Sequence, residues 1–180
     1  MYAGLHGIAQ GLPQLLAAAD SLRATPAAAP DIVFIGDGPV KGALVREARE
    51  RELRHVRFLD ARPAAELPPL LAAADLLIVP LGLGIPGAVP SKLYEAMASG
   101  RPVVLVATGE AATIVRRHDA GIVVEPHDIA GLTEALRTLA ADPVLRRRLG
   151  ENGRRAAEQC FDRAAIARQF IETLEGALRT

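Results

Sequence analysis

Five short runs of apolar, largely β-branched residues recur along the chain, at positions 31–35, 55–59, 75–80, 102–106 and 121–125. Most are apolar on both sides of the backbone, the pattern of parallel strands buried on both faces. Residues 1–4 read as the end of a further strand. Between these runs the period changes to that of a helix. Segment 10–23 places Leu12, Leu15, Leu16, Ala19 and Leu22 on one stripe. Segment 39–53 is charged on one side and holds Leu44, Ala48 and Leu53. Segments 63–74, 91–99, 110–118 and 129–140 continue the alternation, and the chain from Pro143 onward predicts two helices broken near residues 160–162. Strand and helix in strict alternation predict an α/β fold, a parallel sheet with helices on both faces. The Ala/Pro cluster at 25–30 reads as a helix-to-strand loop.

Such sheets bind ligands at the carboxyl ends of their strands. Loops 4–10, 36–39, 60–63, 81–90 and 107–109 are therefore where chemistry is expected. Length and composition narrow the classes. The chain has 180 residues, enough for one domain, and 21 basic residues balance 21 acidic ones. That balance argues against nucleic acid and against a polybasic membrane anchor. Cys160 is the sole cysteine, which excludes an intrachain disulfide and a cysteine-built zinc site, and it reads as a small buried hydrophobe. The opening residues lack a secretory pattern, and the apolar stretch 76–91 is too interrupted by Gly and Pro to span a membrane. A cytoplasmic location is expected.

Gly82 to Gly87 spell a literal G-x-G-x-x-G after a strand, with Glu110 past the next strand. A dinucleotide fingerprint needs its third glycine inside the helix. Pro86 and Pro90 delay the helix to Ser91, so the dehydrogenase reading is set aside. Ser91-Lys92-Leu93 is more informative. A helix entering at Pro90 and capped or begun by Ser91 leaves free N–H groups at the ligand edge, an anion site. Lys92 in that first turn gains nothing from the helix dipole unless an anion is present. Glu95, one turn on, lies near the face of Ser91 or Lys92 and suits a ribose diol; the plainer alternative is solvated surface. Gly36-Asp37-Gly38 is a tight turn whose glycines permit a ligand to approach the backbone. The loop Gly4-Leu5-His6-Gly7-Ile8-Ala9-Gln10 is a second glycine-rich turn, and His6, its one titratable group, is either a ligand-facing donor or an ordinary loop residue. Arg146, Arg147 and Arg148 read as a solvated helix face.

In order, Y-x-G-x-x-G-x-x-Q-G-L from Tyr2, I-G-D-G-P from Ile35, V-x-F-L from Val56, A-D-L-L-I-V-P-L from Ala74, V-P-S-K-L-Y-E-A-M-A-S-G-R-P-V-V from Val89, A-G-I-V-V-E-P from Ala120 and D-P-x-x-R-x-x-L-G-x-N-G-R from Asp142 cover almost the whole chain. This set resembles the carboxyl-terminal, donor-binding half of the GT-B glycosyltransferases, family four (group 1), of the bacterial surface-polysaccharide type. The resemblance implies a Rossmann-like three-layer domain of about six parallel strands. It implies a site for a UDP- or GDP-sugar on the Gly-rich loops, using Gly4, His6, Gly7 and Gln10, the helix entry Ser91, Lys92 and Leu93, and Glu95 on the ribose as the second acid of E-x7-E. The base would border Gly36, Asp37, Gly38, Phe58 and Leu59.

Departures from the pattern accompany the match. The first acid of E-x7-E falls at Gly87, and the family's first-loop Arg and Lys fall at Leu5 and Gln10. Lys92 is the candidate replacement cation. By this resemblance the chain is half of an enzyme whose preceding acceptor domain is missing. The whole enzyme would move a hexose-type sugar to a lipid-linked or free saccharide, probable stereochemistry being retention, with no metal and no cofactor, peripheral at the inner face of the membrane. A non-catalytic nucleotide-binding module and half of a nucleotide-sugar epimerase are the rival readings.

Overall fold

A computed structural model describes residues 1–23, 30–82 and 87–178. Six strands alternate with helices in chain order: β1 (Tyr2–Ala3), α1 (Pro13–Leu22), β2 (Ile32–Ile35), α2 (Lys41–Glu50), β3 (Val56–Leu59), α3 (Leu67–Ala73), β4 (Leu77–Pro80), α4 (Ser91–Ala98), β5 (Val103–Val106), α5 (Gly109–Arg117), β6 (Gly121–Val124), α6 (Ile129–Ala141), α7 (Pro143–Cys160) and α8 (Arg163–Leu178). Most of the expected 25–30 loop and most of the 82–87 glycine motif lie outside the described residues.

The strands pair in parallel as two halves, β1-β2-β3 and β4-β5-β6. Met1 joins them: its amino group donates to Leu76 O at 2.9 Å, and Ile78 N donates to Met1 O at 2.8 Å. This is the hydrogen-bond pattern of a parallel bridge, so the sheet order is 3-2-1-4-5-6 and its reversal point lies between β1 and β4. β4 and β5 are buried throughout, whereas the terminal strand β3 alternates half-buried Val56 and Phe58 with exposed Arg57 and Leu59.

Two apolar layers enclose the sheet. Leu12, Leu15, Leu16, Phe34, Leu44, Val104, Leu132 and Leu136 bring α1, α2 and α6 onto one face. Leu77, Val79, Leu93, Met97, Leu105 and Val115 bring α4 and α5 onto the other, with Leu71 of α3 beside them. α7 reaches both layers, through Leu149 and then Ala156 and Ala157.

Local chemistry sets the helix limits. Pro13 opens α1, later than the periodicity suggests, because residues 8–10 form a short 3-10 turn closed by Gly11 at φ 60°. Asp128 and Asp142 accept from Gly131 N and Leu145 N and cap α6 and α7. Arg146 departs from the expected solvated face. Its guanidinium donates to Leu139 O at 2.6 Å and Ala140 O at 2.8 Å, satisfying the last carbonyls of α6. Cys160 is exposed at the end of α7, which corrects the buried reading. It is the last residue of α7, beyond Ala156 and Ala157, the last two buried residues of that helix. Beyond it α8 has no buried residue, and Ile166, Phe170, Ile171, Leu174 and Leu178 are exposed.

Candidate functional site

The loops after β1, β2 and β4 meet at the carboxyl edge of the sheet, beside the reversal point. Gly4 N donates to Ile35 O and His6 N to Asp37 O, both at 2.8 Å, and Val40 N donates to His6 O at 3.1 Å. Gly36 and Gly38 have φ of 143° and 153°. A Cβ on Gly36 would overlap Gly4 O, and one on Gly38 would sit 2.5 Å from His6 O. The side of each glycine where a side chain would stand is therefore taken by the neighbouring loop, so the two loops pack backbone to backbone here. Asp37 is exposed, and its carboxylate accepts from Gly38 N at 2.7 Å. Gly7 is buried and precedes the 3-10 turn, while the Oε1 of Gln10 is buried without a protein partner.

His6 is wholly buried, so it is not an exposed donor. Its ring lies 5.8 Å from that of Tyr2, 6.1 Å from Phe34 and 6.4 Å from Phe58, and neither ring nitrogen has a protein partner. The reason is the strand register: Tyr2, Phe34 and Phe58 are aligned across β1, β2 and β3, forming an aromatic row that the loop folds His6 onto. Phe58 stacks on Phe34 at 4.9 Å, turning its ring away from the opposite face, where Leu59 is 40% exposed. Asp60, held by Lys41 Nζ at 2.9 Å, closes that end. The hydrogen bond from Lys41 keeps the Asp60 carboxyl below its ordinary range.

Burial pushes the His6 imidazole below its ordinary 6.5, with Lys41 adding to the effect and Asp37 opposing it. The unfolded chain thus takes up this proton more readily than the folded one. The stability contributed by the neutral ring is complete above pH 6.5 and is lost as pH falls below that value, by at most about 1.4 kcal/mol per pH unit. Denaturant midpoints are expected to drop between about pH 7.5 and about pH 5.5, and to drop less in His6→Leu. An equal drop in both proteins would assign the acid sensitivity to other groups.

α4 supplies the other wall. Pro90 is extended at φ −66° and ψ 133°, and Ser91 begins the helix without capping it. The N–H groups of Ser91 and Lys92 precede the first intrahelical bond and are free to receive an anion. Leu93 does not serve this way: its N–H donates to Pro90 O at 2.9 Å and its side chain is wholly buried, because 93, 96 and 97 form the stripe of α4 that faces the sheet. Lys92 is half-buried and passes over Gly4 toward Tyr2, reaching its hydroxyl at 3.5 Å. Among the described residues no carboxylate pairs with it. Desolvation lowers its pKa, and nearby Glu95 partly opposes this. Glu95 is exposed beside Lys92 on the rim of a small crevice lined by Ala3, Leu67, Leu71 and Val79. The structure thus brings Gly4, Lys92 and Glu95 together on the α4 side of the β1/β4 junction, with Ser91 at the helix entry. It leaves the imidazole of His6 and the side chain of Leu93 in the interior and the ring of Phe58 half-buried against Phe34. A larger hollow of about 900 Å³ adjoins the other side of Ser91 and Glu95, bounded by Tyr94, Arg154 and Phe161, and one of about 560 Å³ lies at the opposite edge beside Asp31 and Asp75.

Tyr2 lies against Lys92 here, although in the sequence it stands only as the first letter of the opening motif. A phenol at the first position of β1, two residues before a loop glycine, was the available signal.

The sequence model of the family described as "Glycosyl transferases group 1" matches residues 2–156. WcaI of Escherichia coli (strain K12), which its name places among colanic acid biosynthesis glycosyl transferases, is 31% identical over 98% of this chain and 42% of its own length. Among solved structures, Anabaena Alr3699/HepE in complex with UDP superposes with a TM-score of 0.79 at 26% identity, over 97% of this chain and 48% of that one. WaaG, a glycosyltransferase involved in lipopolysaccharide biosynthesis, superposes with a TM-score of 0.74 at 26% identity, over 88% and 42% of the two chains. The chain thus spans less than half the length of these relatives.

Proposed function

Because the chain belongs to the group 1 glycosyl transferases, we propose that it is the donor-binding half of an enzyme that moves a sugar from a nucleoside diphosphate to an acceptor hydroxyl. The observation that carries this reading is Lys92, a half-buried ammonium without a carboxylate partner, held beside two free helix N–H groups at the β1/β4 reversal point. A diphosphate at this place receives charge-assisted hydrogen bonds from both. As the sugar leaves, charge grows on the terminal phosphate, and the N–H groups and Lys92 already point at it, so little reorganisation is needed. Glu95 accepts the two ribose hydroxyl hydrogens. The base lies toward Leu59 and Asp60, touching the backbone of Phe58 rather than its ring.

HepE is solved with UDP and also with UDP-glucose, which favours UDP as the nucleotide. A hexose donor, retention of configuration, a surface saccharide as acceptor and a peripheral place at the membrane complete the proposal. Among the described residues no helix is long and apolar enough to cross a membrane.

Calorimetric titration with UDP, GDP and NADH tests the reading. UDP or GDP is expected to bind; binding of NADH alone would overturn it. Glu95→Ala is expected to weaken the nucleoside diphosphate at least tenfold, since each lost charge-assisted bond is worth about 1.5–3 kcal/mol. Its unfolding midpoint should stay near that of the wild type, because Glu95 is exposed. Equal nucleotide affinity in both proteins would return Glu95 to ordinary surface.

A further inference from the structure

We infer that Tyr2 is the positioning residue that fixes Lys92 as the diphosphate-binding cation; this rests on the donor-site reading above. Lysine has four rotatable stem bonds, and a free ammonium in water sweeps a wide volume. Here the stem is confined. It leaves α4 on one side of the sheet and crosses the end of β1 directly over Gly4, where a Cβ would overlap Cε. Nζ then stands 5.4 Å from the centroid of the Tyr2 ring and 3.5 Å from its hydroxyl.

The hydroxyl is itself fixed. It donates to Leu5 O at 2.5 Å, so its remaining lone pairs face Lys92. The ring is buried, part of the aromatic row with Phe34 and Phe58. Burial raises the phenol's pKa, so it stays neutral at physiological pH. A neutral acceptor matters: it orients the ammonium without cancelling its charge, as a carboxylate in the same place would do. Tyr2 and Gly4 thus form one device, the phenol supplying the anchor and the glycine the passage. The first-loop position Leu5, which carries no charge, is 56% exposed beside it.

The experiment compares wild type, Tyr2→Phe, Lys92→Met and the double variant, titrating each with UDP and with uridine. Tyr2→Phe keeps the ring and removes the anchor. It is expected to weaken UDP about three- to tenfold and to leave uridine unchanged. Lys92→Met is expected to weaken UDP more, and adding Tyr2→Phe to it is expected to cost nothing further. Equal UDP affinity in Tyr2→Phe and wild type, or the same loss in the Lys92→Met background, would overturn the inference. A second readout needs no nucleotide. Lys41 and Lys92 are the only two lysines, so a ¹³C-lysine spectrum holds two Cε signals. The Lys92 signal is expected to move toward that of a freely rotating lysine in Tyr2→Phe, with Lys41 unmoved. An unmoved Lys92 signal would overturn the inference, whereas wild-type protein that binds neither UDP nor GDP would overturn the donor-site reading instead.

Discussion

Supplied with a UDP-sugar and a lipid-linked or free saccharide, the 180-residue chain alone is expected to transfer no sugar. Joined to a preceding acceptor domain, it is expected to turn over. Transfer needs the acceptor hydroxyl held about 3–3.5 Å from the anomeric carbon, and well-oriented partners gain effective molarities of about 10⁵–10⁸ M. The proposed donor site is an edge of one sheet, where Lys92, Glu95 and the entry of α4 grip the nucleotide from one side. The opposing surface must come from elsewhere, and the chain spans less than half the length of its relatives. α8 gives a second observable in the same experiment. Ile166, Phe170 and Leu174 recur every four residues and are exposed, so amide exchange along α8 is expected to slow when the acceptor domain is present. Turnover by the chain alone would show that this half carries a complete active site.

Gly36→Ala is expected to be the most damaging single-atom addition in the donor loops. The backbone there has φ 143°, and the new methyl would overlap the carbonyl of Gly4. That carbonyl belongs to a residue whose N–H is bonded to Ile35 O, so the loop cannot swing aside without losing the β1–β2 junction. Strained backbone costs about 1–3 kcal/mol and overpacking a similar amount. Their sum, roughly 2–6 kcal/mol, is a large share of a typical stability of about 5–15 kcal/mol. Gly87→Ala is the control. Its φ is 74°, yet among the described residues no atom lies within 4 Å of the added Cβ, so only about 1–2 kcal/mol of backbone cost is expected. Urea denaturation of the two variants checks this, and similar losses in both would show that the Gly4 carbonyl yields.

The architecture was readable because its signals are local. β4 and β5 are apolar on both faces and buried throughout, and Pro13 and Pro143 open helices where their missing N–H costs nothing. What escaped the sequence depends on residues far apart in the chain. That Gly36 must also make room for the carbonyl of Gly4 becomes visible only when β1 is laid beside β2. His6 sits among glycines and reads as a ligand-facing donor or an ordinary loop residue. Its burial follows from three aromatic rings contributed by three strands, a coincidence of register that no single window contains. Leu93 was in principle separable from Ser91 and Glu95, since 93, 96 and 97 recur at the helical period. Arg146 looked like one of three solvated arginines because its partners are the carbonyls ending the preceding helix. Tyr2 was missed because a phenol at the edge of a glycine loop carries no charge to attract notice.

The bridge at Met1 has a consequence for how the molecule folds. Each half of the sheet forms from neighbours about 20–30 residues apart, whereas Met1 meets Leu76 across a separation of 75 residues. Closing so long a loop is entropically the dearest step. The proposed donor site, with Gly4, Lys92 and Glu95, lies on that seam. On that proposal, a chain with both halves formed but the seam open has no donor site to offer. Nucleotide would then select the closed form, stabilising it by about 2.7 kcal/mol at a hundredfold excess over Kd. It should slow unfolding most where the seam opens before the halves come apart. The substrate would act as a clasp between two half-sheets as well as a reactant.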